Sequence, residues 1–187
     1  MARWKASLKW LAFHFTMKFG SCIIKKRKNV LKQSIDFISM EDFMVEVNFY
    51  DNIDDKMLKF AVIISKTNGK WVFCKHKERD TLEVPGGHRE KGETILETAR
   101  RELREETGAI DFIIEPICIY SVKGKTRVNE DIHTETFGML FMANIFRFEE
   151  IHSEIEQIVI VDNLIDNWTY PSIQPKLIEE AKKRGFL

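Results

Sequence analysis

The feature of the sequence that most constrains the fold is the stretch of residues 87–109, where a glycine-containing turn leads into a helix rich in carboxylates. The tripeptide Pro-Gly-Gly at residues 85–87 favours a sharp turn. The helical pattern covers residues 94–107, and Gly108 suits the left-handed position that follows a helix C-terminus. The stretch therefore predicts a tight loop joined to a helix that concentrates acidic side chains in one place.

Three glutamates of this helix are spaced so that they crowd together. Glu102, Glu105 and Glu106 are related by i, i+3 and i+4, and each like-charged pair at this spacing costs roughly a few tenths of a kcal/mol. Mg²⁺ or Mn²⁺ would turn this repulsion into ligation, because both ions prefer carboxylate oxygen. The alternative is an ordinary solvated helix face. The coincidence of the loop glycine, Glu93 and the acidic run argues against that alternative.

The remaining helix residues indicate how the acidic cluster is supported. Leu96, Ala99 and Leu103 form an apolar stripe, which we expect to anchor the helix on the core. Arg101 lies four residues from a glutamate on either side, so it is expected to orient acidic neighbours. The preceding turn allows the Gly87 carbonyl to face a bound metal ion.

Residues 87–109 resemble the Nudix box of the Nudix hydrolases. Every charged and glycine position of the box is filled, and the one departure is Ala109, where a large aliphatic residue is usual. The resemblance is specific over these residues, extends loosely over residues 44–187 and does not cover residues 1–43. It implies an α/β fold, an α/β/α sandwich with a mixed central sheet, and the hydrolysis of a nucleoside diphosphate linked to a group X.

The resemblance also implies roles for the box residues. Glu102, Glu105 and Glu106, assisted by the Gly87 carbonyl, are expected to hold Mg²⁺, for which Mn²⁺ could substitute. Glu105, Glu106 and Arg101 are also expected to be catalytic. Glu93 is expected to support the site by orienting Arg101.

The general base is less closely defined than the metal ligands. In several relatives a glutamate that precedes a late strand takes this role, and here Glu154 is the choice from four such acids. In other relatives a glutamate of the box is the general base instead. Each loop acid could also be an ordinary solvated charge without a catalytic role. The four candidates are Glu149, Glu150, Glu154 and Glu156.

Residues that select the substrate must lie outside the box. Asn167 offers a paired donor and acceptor suited to a purine edge. Residues 167–175 resemble the MutT-type branch, which cleaves oxidised purine nucleoside triphosphates such as 8-oxo-dGTP to the monophosphate and pyrophosphate. Several aromatic side chains could stack on a base, although core packing is the commoner fate of strand aromatics. These are Phe49, Phe60, Trp71, Phe73 and Tyr170.

Other functions are compatible with the same box residues. An ADP-sugar, a dinucleoside polyphosphate or a triphosphorylated RNA 5′ end would change only the group X. A nucleotide sensor without turnover is the non-enzymatic alternative, and the complete set of acidic positions argues against it. A monomer and a homodimer both remain open.

Charge is distributed unevenly along the chain. Residues 1–35 carry nine basic side chains and no acidic one, which leaves 20 basic against 29 acidic residues in the remainder, a net charge of −9. An acidic domain argues against broad binding of duplex nucleic acid. Residues 1–43 are therefore predicted to be a separate basic extension of the domain at residues 44–187. This extension could be a helix that contacts an anionic membrane surface through residues 1–35, or a loosely docked or disordered segment.

The three cysteines are widely spaced, without a Cys-x-x-Cys pair. This spacing indicates neither a disulfide framework nor a structural zinc site, and it favours a reducing, cytoplasmic setting. No uninterrupted apolar stretch of about 18 residues is present, so no membrane span is expected.

Hydrophobic periodicity predicts one domain of mixed structure. Asn68-Gly69 between two apolar runs is typical of a tight hairpin. The chain alternates strands with one central and one closing helix, which favours helices on both faces of a sheet. Strands are expected at residues 43–50, 59–65, 70–74, 82–84, 110–122, 137–148 and 157–161, and helices at residues 94–107 and 172–184.

Overall fold

The computed structural model describes residues 45–126, 133–151 and 153–187. These residues lie within the compact unit Glu41–Leu187. The predicted basic extension at residues 1–43, with its membrane contact through residues 1–35, lies outside the described residues. The strands are β1 (Glu46–Tyr50), β2 (Leu58–Thr67), β3 (Lys70–His76), β4 (Leu82–Glu83), β5 (Gly86–His88), β6 (Ala109–Lys123), β7 (Glu135–Phe148) and β8 (Ile155–Val161), and the α-helices are α1 (Ile95–Thr107) and α2 (Gln174–Lys183).

All eight strands join one sheet. The main order is β1-β6-β7-β2-β3-β4, with β5 paired to β2 and β8 paired to β3. β2 and β7 run parallel, from Leu58 beside Phe137 to Lys66 beside Asn144, whereas the other pairings are antiparallel. The predicted mixed sheet is therefore confirmed.

Each face of the sheet is covered by one helix. Successive side chains of a strand point to opposite faces, so Ile63 and Ile64 of β2 belong to two different buried clusters. The first cluster packs under α1 through Ala99 and Leu103. The second packs under α2 through Leu177, Ile178 and Ala181. This arrangement is the predicted α/β/α sandwich.

Two backbone positions match their predicted conformations. Asn68 and Gly69 both have positive φ, 50° and 79°, as a type I′ hairpin turn between β2 and β3 requires. Gly108 ends α1 with φ 72° and donates its N–H to the Arg104 carbonyl. A Cβ at residue 108 would overlap the Glu149 carbonyl oxygen. Glycine therefore allows the last turn of α1 and the end of β7 to approach closely.

The apolar stripe of α1 differs from the prediction at its first residue. Leu96 is 37% exposed, and Ile95 is buried with Ala99 and Leu103 instead. The helix begins at Ile95, directly after the N-cap residue Thr94 of the capping box, and Ile95 lies one turn before Ala99 on the buried side. The buried line is therefore spaced i, i+4 and i+8.

The ends of two elements also differ from the expected boundaries. β1 begins at Glu46, and the two residues before Val45 lie outside the described part. α2 covers Gln174–Lys183 and is shorter than predicted, because Pro175 occupies its first turn and Arg184 ends it. Among the described residues no helix is long and apolar enough to cross a membrane.

Candidate active site

Arg101 of α1 is the centre of an ion-pair cluster. Its Nε donates to Glu93 Oε1 at 2.7 Å, and its Nη1 donates to Glu102 Oε1 at 2.8 Å and to Glu105 Oε2 at 3.1 Å. Its Nη2 donates to the His88 carbonyl at 2.9 Å. One guanidinium therefore ties the loop after β5 to the acidic face of the helix, as fork-shaped donors do well.

Glu93 is held in its ionised form by this cluster. The guanidinium of Arg101, the Glu90 N–H and the Thr98 hydroxyl all donate to its carboxylate. Arg101 is the main cause that lowers the pKa of Glu93 to about 2. The predicted orienting contact between Glu93 and Arg101 is thus present in the geometry.

Glu106 has the opposite environment. It is 8% exposed, and its Oε2 accepts one hydrogen bond, from the Gly86 N–H at 2.9 Å. Burial raises the pKa of Glu106 well above its ordinary value. The hydrogen bond from the Gly86 N–H lowers this pKa, whereas the negative charges of Glu102, Glu83 and Glu154 raise it further. Among the described residues no cationic side chain hydrogen-bonds to this carboxylate. Glu106 is therefore a desolvated acid without a counter-ion among the described residues.

Gly87 lies directly against the second buried acid. A Cβ at residue 87 would overlap the carboxylate of Glu102, so only glycine lets the backbone pass here. Glu102 is 9% exposed. Burial raises its pKa, although its contact with Arg101 opposes the shift. Glu102 and Glu106 thus lie on the buried side of α1, whereas the Glu105 side chain is 53% exposed.

A cavity of about 450 Å³ connects this acidic cluster to the sheet face beneath α2. The cavity has two chemically different ends. The acidic end is lined by Glu83, Gly87, Arg101, Glu102, Glu106 and Glu154. The apolar end is lined by Phe60, Val62, Tyr120, Tyr170, Ile173 and Leu177.

The donor chemistry of the acidic end fits a divalent cation. Glu102 and Glu106 are desolvated and line the same cavity, and an unpaired buried carboxylate is costly. In the described part of the chain, no three acidic, His or Cys side chains are already grouped as metal ligands. The reason is that Arg101 holds oxygens of Glu102 and Glu105. Glu106 is therefore the carboxylate best placed to accept a cation.

Of the four loop acids, Glu154 alone lines the cavity. Its charge contributes to the raised pKa of both Glu102 and Glu106. Glu156 instead forms an ion pair with Lys75 at 2.5 Å. The other two acids, Glu149 and Glu150, are exposed and outside the cavity lining.

The aromatic candidates separate into two groups. Phe60 and Tyr170 line the cavity. Phe49 packs against the cluster under α2, and Trp71 is stacked on the fully buried Phe73 with its ring centroids 6.2 Å apart. The structure therefore does not bring Phe49, Trp71 or Phe73 to the site, because core packing uses their rings.

Asn167 also lies away from the cavity lining. Its side-chain amide NH₂ donates to the Asp80 carbonyl at 3.0 Å, and the backbone carbonyl of Asn167 accepts from the Leu82 N–H at 3.0 Å. These bonds fasten the loop before α2 to the start of β4. These contacts favour a structural role for Asn167, and its contact with a purine edge stays a prediction.

Gln174, at the start of α2, is the polar residue of the apolar end that the sequence did not single out. It is 5% exposed and lines the cavity, and its Oε1 accepts from the Val84 N–H at 3.4 Å. The sequence feature that could have identified Gln174 is its spacing from the apolar residues of α2. Gln174 precedes Leu177, Ile178 and Ala181 at the i, i+3, i+4 and i+7 spacing of a core-facing stripe.

A cationic side chain was also missed. Arg79 lines the cavity, and its Nη1 donates to both carboxylate oxygens of the buried Glu83 at 3.0 Å. The pair has the i, i+4 spacing of a helical ion pair, but Arg79 lies in the loop before β4 and Glu83 lies in β4 itself. Neither hydrophobic periodicity nor the box spacing predicts such a contact.

Sequence comparisons connect this arrangement to known proteins. The family model of the NUDIX domain matches residues 55–172. The chain is 36% identical over 84 residues to YtkD of Bacillus subtilis strain 168, which is provisionally named an 8-oxo-dGTP diphosphatase. This match covers 45% of the chain and 52% of YtkD, so the chain spans about half the length of that relative.

The fold is similar to those of several solved structures. The crystal structure of a mutant of the Bacillus subtilis pyrophosphohydrolase BsRppH matches at 25% identity and a TM-score of 0.61, over 76% of this chain and 92% of that one. A NUDIX hydrolase from Nitrosomonas europaea matches at 21% identity and a TM-score of 0.53, over 67% and 89% of the two chains. A UDP-X diphosphatase matches at 16% identity and a TM-score of 0.54, over 82% and 70%. The last two similarities concern the fold alone.

Proposed function

The chain belongs to the Nudix family, and from this premise we propose that it is a diphosphatase-type hydrolase that cleaves a nucleoside triphosphate to the monophosphate and pyrophosphate. The proposed base is an oxidised purine, as in 8-oxo-dGTP. One observation carries the proposal. The cavity of about 450 Å³ joins two buried carboxylates, Glu102 and Glu106, to an apolar compartment between the sheet and α2.

We propose Mg²⁺, with Mn²⁺ as a substitute, as the ion of the acidic end. Glu106 and Glu102 would hold it, together with Glu105 and the Gly87 carbonyl. A bound divalent cation supplies neutralisation of the phosphate oxygens. The support from this chain is the uncompensated burial of Glu106 and the close approach of Gly87 to Glu102.

Two arginines would position the phosphates and the acids. Arg101 fixes the loop after β5 through the His88 carbonyl while it orients Glu93, Glu102 and Glu105. Arg79 is anchored on Glu83 through one guanidinium nitrogen, which leaves further N–H donors on the same group. Because Arg79 lines the cavity, it is proposed to bind a phosphate oxygen.

Glu154 is proposed as the general base. It is exposed enough to meet water, and it lines the cavity near the two buried carboxylates. A general base must reach the proton of the attacking water, directly or through one further water. Glu154 is the one acid of its loop that lines the cavity.

The residues that line the apolar end favour a purine base that carries hydrogen-bond acceptors. Phe60 and Tyr170 line it with aromatic rings. The Val84 N–H uses the Oε1 atom of Gln174, so the amide NH₂ remains as the donor for a ligand. A donor at this position favours a carbonyl edge, as in guanine-type bases, over an exocyclic amino group. The name of the relative YtkD agrees with this substrate class.

The proposal is tested by a substrate panel with Mg²⁺ and with Mn²⁺. The panel contains 8-oxo-dGTP, dGTP, dATP, an ADP-sugar, a dinucleoside polyphosphate and a triphosphorylated RNA, and chromatography identifies the products. We expect 8-oxo-dGTP to have the highest kcat/KM and to yield 8-oxo-dGMP and pyrophosphate. Release of inorganic phosphate, or a clear preference for another group X, contradicts the proposal.

A matched pair of variants tests the general base in the same assay. Glu154→Gln is expected to lower kcat by about 10²-fold or more, within the usual contribution of general acid–base catalysis. Glu150→Gln removes an exposed acid of the same loop outside the cavity lining and should leave kcat unchanged. Equal activity of the two variants would assign the base to another residue.

A further inference from the structure

Three cross-strand neighbours form one row on the sheet face beneath α2. Tyr120 of β6 lies opposite Gly138 of β7, and Gly138 lies opposite Phe60 of β2. Residues in register on adjacent strands point to the same face. The row therefore places one aromatic side chain on each side of Gly138, which has no side chain. Both aromatic residues line the cavity.

The ring of Tyr120 occupies the space above Gly138. A Cβ at residue 138 would lie 2.7 Å from each of Cε1, Cζ and Oη of Tyr120, closer than such atoms can approach. Gly138 is not among the glycines with positive φ, so the backbone conformation does not require glycine. The missing side chain thus makes room for the Tyr120 ring, and the outer end of that ring lies over β7.

The hydroxyl of Tyr120 is available to a ligand. Tyr120 is 4% exposed and lines the cavity. In the described part of the chain its hydroxyl has no hydrogen-bond partner. Among the described residues, every polar side-chain atom that is shielded from solvent does have such a partner, so the Tyr120 oxygen is not fully shielded. The oxygen therefore opens into the cavity. Burial raises the pKa of Tyr120, so the group stays protonated and can donate. Buried tyrosine hydroxyls usually find a partner.

The position of Tyr120 assigns it to the part of the substrate remote from the reaction. His88 of β5 pairs with Phe60 at the near end of the same row. The outer end of the Tyr120 ring lies over β7, two inter-strand spacings, or about 10 Å, from the backbone of His88. Gly87 and the buried Glu102 lie next to His88, so Tyr120 faces the apolar compartment and not the phosphates.

We propose that Tyr120, held over Gly138, is a specificity-determining residue whose hydroxyl donates a hydrogen bond to the base of the nucleotide. This inference rests on the proposed function and deepens it. The acceptor on the base would be a carbonyl oxygen or a ring nitrogen. Gly138 acts as a positioning residue, because any larger side chain would displace the ring.

The test measures binding to the full-length protein without turnover. Isothermal titration compares 8-oxo-dGMP, dGMP and ribose 5-phosphate, which lacks a base, for the wild type and Tyr120→Phe. We expect the Kd of the preferred nucleoside monophosphate to rise about 5- to 10-fold in Tyr120→Phe, which retains the ring and loses one hydrogen bond. Binding of ribose 5-phosphate should not change. In the hydrolysis assay KM should rise by the same factor, with kcat unchanged.

Tyr50→Phe is the matched control. The Tyr50 hydroxyl donates to Glu135, and Tyr50 does not line the cavity, so binding should equal that of the wild type. Gly138→Ala tests the positioning role. It should weaken base binding more than Tyr120→Phe does, and it should have no further effect once Tyr120→Ala has removed the ring.

The outcomes are distinguishable from those of the proposed function. Equal Kd values for the wild type and Tyr120→Phe, or an equal loss for ribose 5-phosphate, overturn the role of Tyr120 even if hydrolysis is as proposed. Failure to bind any nucleoside monophosphate overturns the assignment of the base to this compartment. A base-dependent loss in a protein that fails to hydrolyse triphosphates supports Tyr120 and contradicts the proposed reaction. If Gly138→Ala fails to fold, the comparison of Tyr120→Phe with Tyr50→Phe decides.

Discussion

The two ends of the cavity are built in different ways. The box residues of the acidic end come from one continuous segment, from β5 to α1, in which each functional side chain is within 20 residues of its partner. The apolar end combines residues from β2, β6, β7 and α2, which are far apart in the sequence. The proposed metal-binding residues are therefore encoded locally, whereas the proposed general base, Glu154, and the proposed substrate compartment join them only when the sheet and α2 have assembled.

The two ends also differ in their effect on stability. The acidic end buries Glu102 and Glu106 against a desolvation cost that raises the pKa of both groups. The apolar end buries Ile173, Leu177 and Tyr120, and such burial stabilises the fold. The proposed function of the acidic end thus opposes stability, whereas at the apolar end the proposed substrate contacts involve residues whose burial also stabilises the fold.

The largest expected effect tests the acidic end. Glu106→Gln should lower kcat by about 10³-fold or more, because it removes the carboxylate best placed to hold the cation. The same variant should raise the Tm of the metal-free protein at pH 7 by a few degrees. Glu106 has a raised pKa in the folded state, so its ionisation opposes folding above the unfolded-state pKa. Calorimetry and steady-state kinetics measure the two effects, and Glu150→Gln should change neither. Wild-type activity in Glu106→Gln would refute the role of this residue.

A smaller effect is expected at the apolar end. Gln174→Leu should raise KM for 8-oxo-dGTP by about 10-fold and reduce the preference over dATP, because the amide donor is lost. Asn167→Leu should leave KM within about twofold and lower the free energy of unfolding by about 1 kcal/mol, since it breaks the bond to Asp80. Kinetics and urea unfolding distinguish the two variants. A reversed pattern would return the reading of the base to Asn167.

The smallest effect concerns pH. The pKa of Glu93 is lowered to about 2 from an ordinary value of 4.5, chiefly by Arg101. A lowered carboxyl pKa stabilises the fold above the unfolded-state pKa, and this contribution is lost as the pH falls through the folded-state value. The wild type should therefore exceed Glu93→Gln in stability at pH 7, and the difference should shrink between about pH 5 and pH 2. Urea unfolding at pH 7, 5, 4 and 3 measures it. A difference independent of pH would contradict the ion pair.

The local nature of the acidic end explains why its geometry could be predicted. The spacing of Glu93, Arg101 and Gly108 determines the loop, the helix and its C-terminal turn within one short segment, and the structure has each of them. The mixed sheet with a helix on each face was predicted from the alternation of strands and helices and from the resemblance to the Nudix family, whereas the order of the strands in the sheet was not predicted. The burial of Leu96 was mispredicted, because both Ile95 and Leu96 fit the spacing of an apolar stripe and only Ile95 lies on the buried side of α1.

The apolar end could be predicted only in part. Tyr170 and Phe60 were among the aromatic candidates, but periodicity does not distinguish a ring that lines a cavity from one that packs in the core, such as Trp71. Asn167 and Gln174 are both amides near α2. Their contacts differ because Asn167 donates to the backbone of Asp80, before β4, whereas Gln174 accepts from the backbone of Val84, after β4.

The fit of Tyr120 over Gly138 limits the order in which related proteins could change. A larger residue at position 138 is tolerated only after the ring at position 120 has become smaller, because the two side chains would occupy the same space. The reverse order passes through an overpacked intermediate. We therefore expect these two positions to change together across the family, with the residue on β6 changing first whenever this lineage acquires a different base preference.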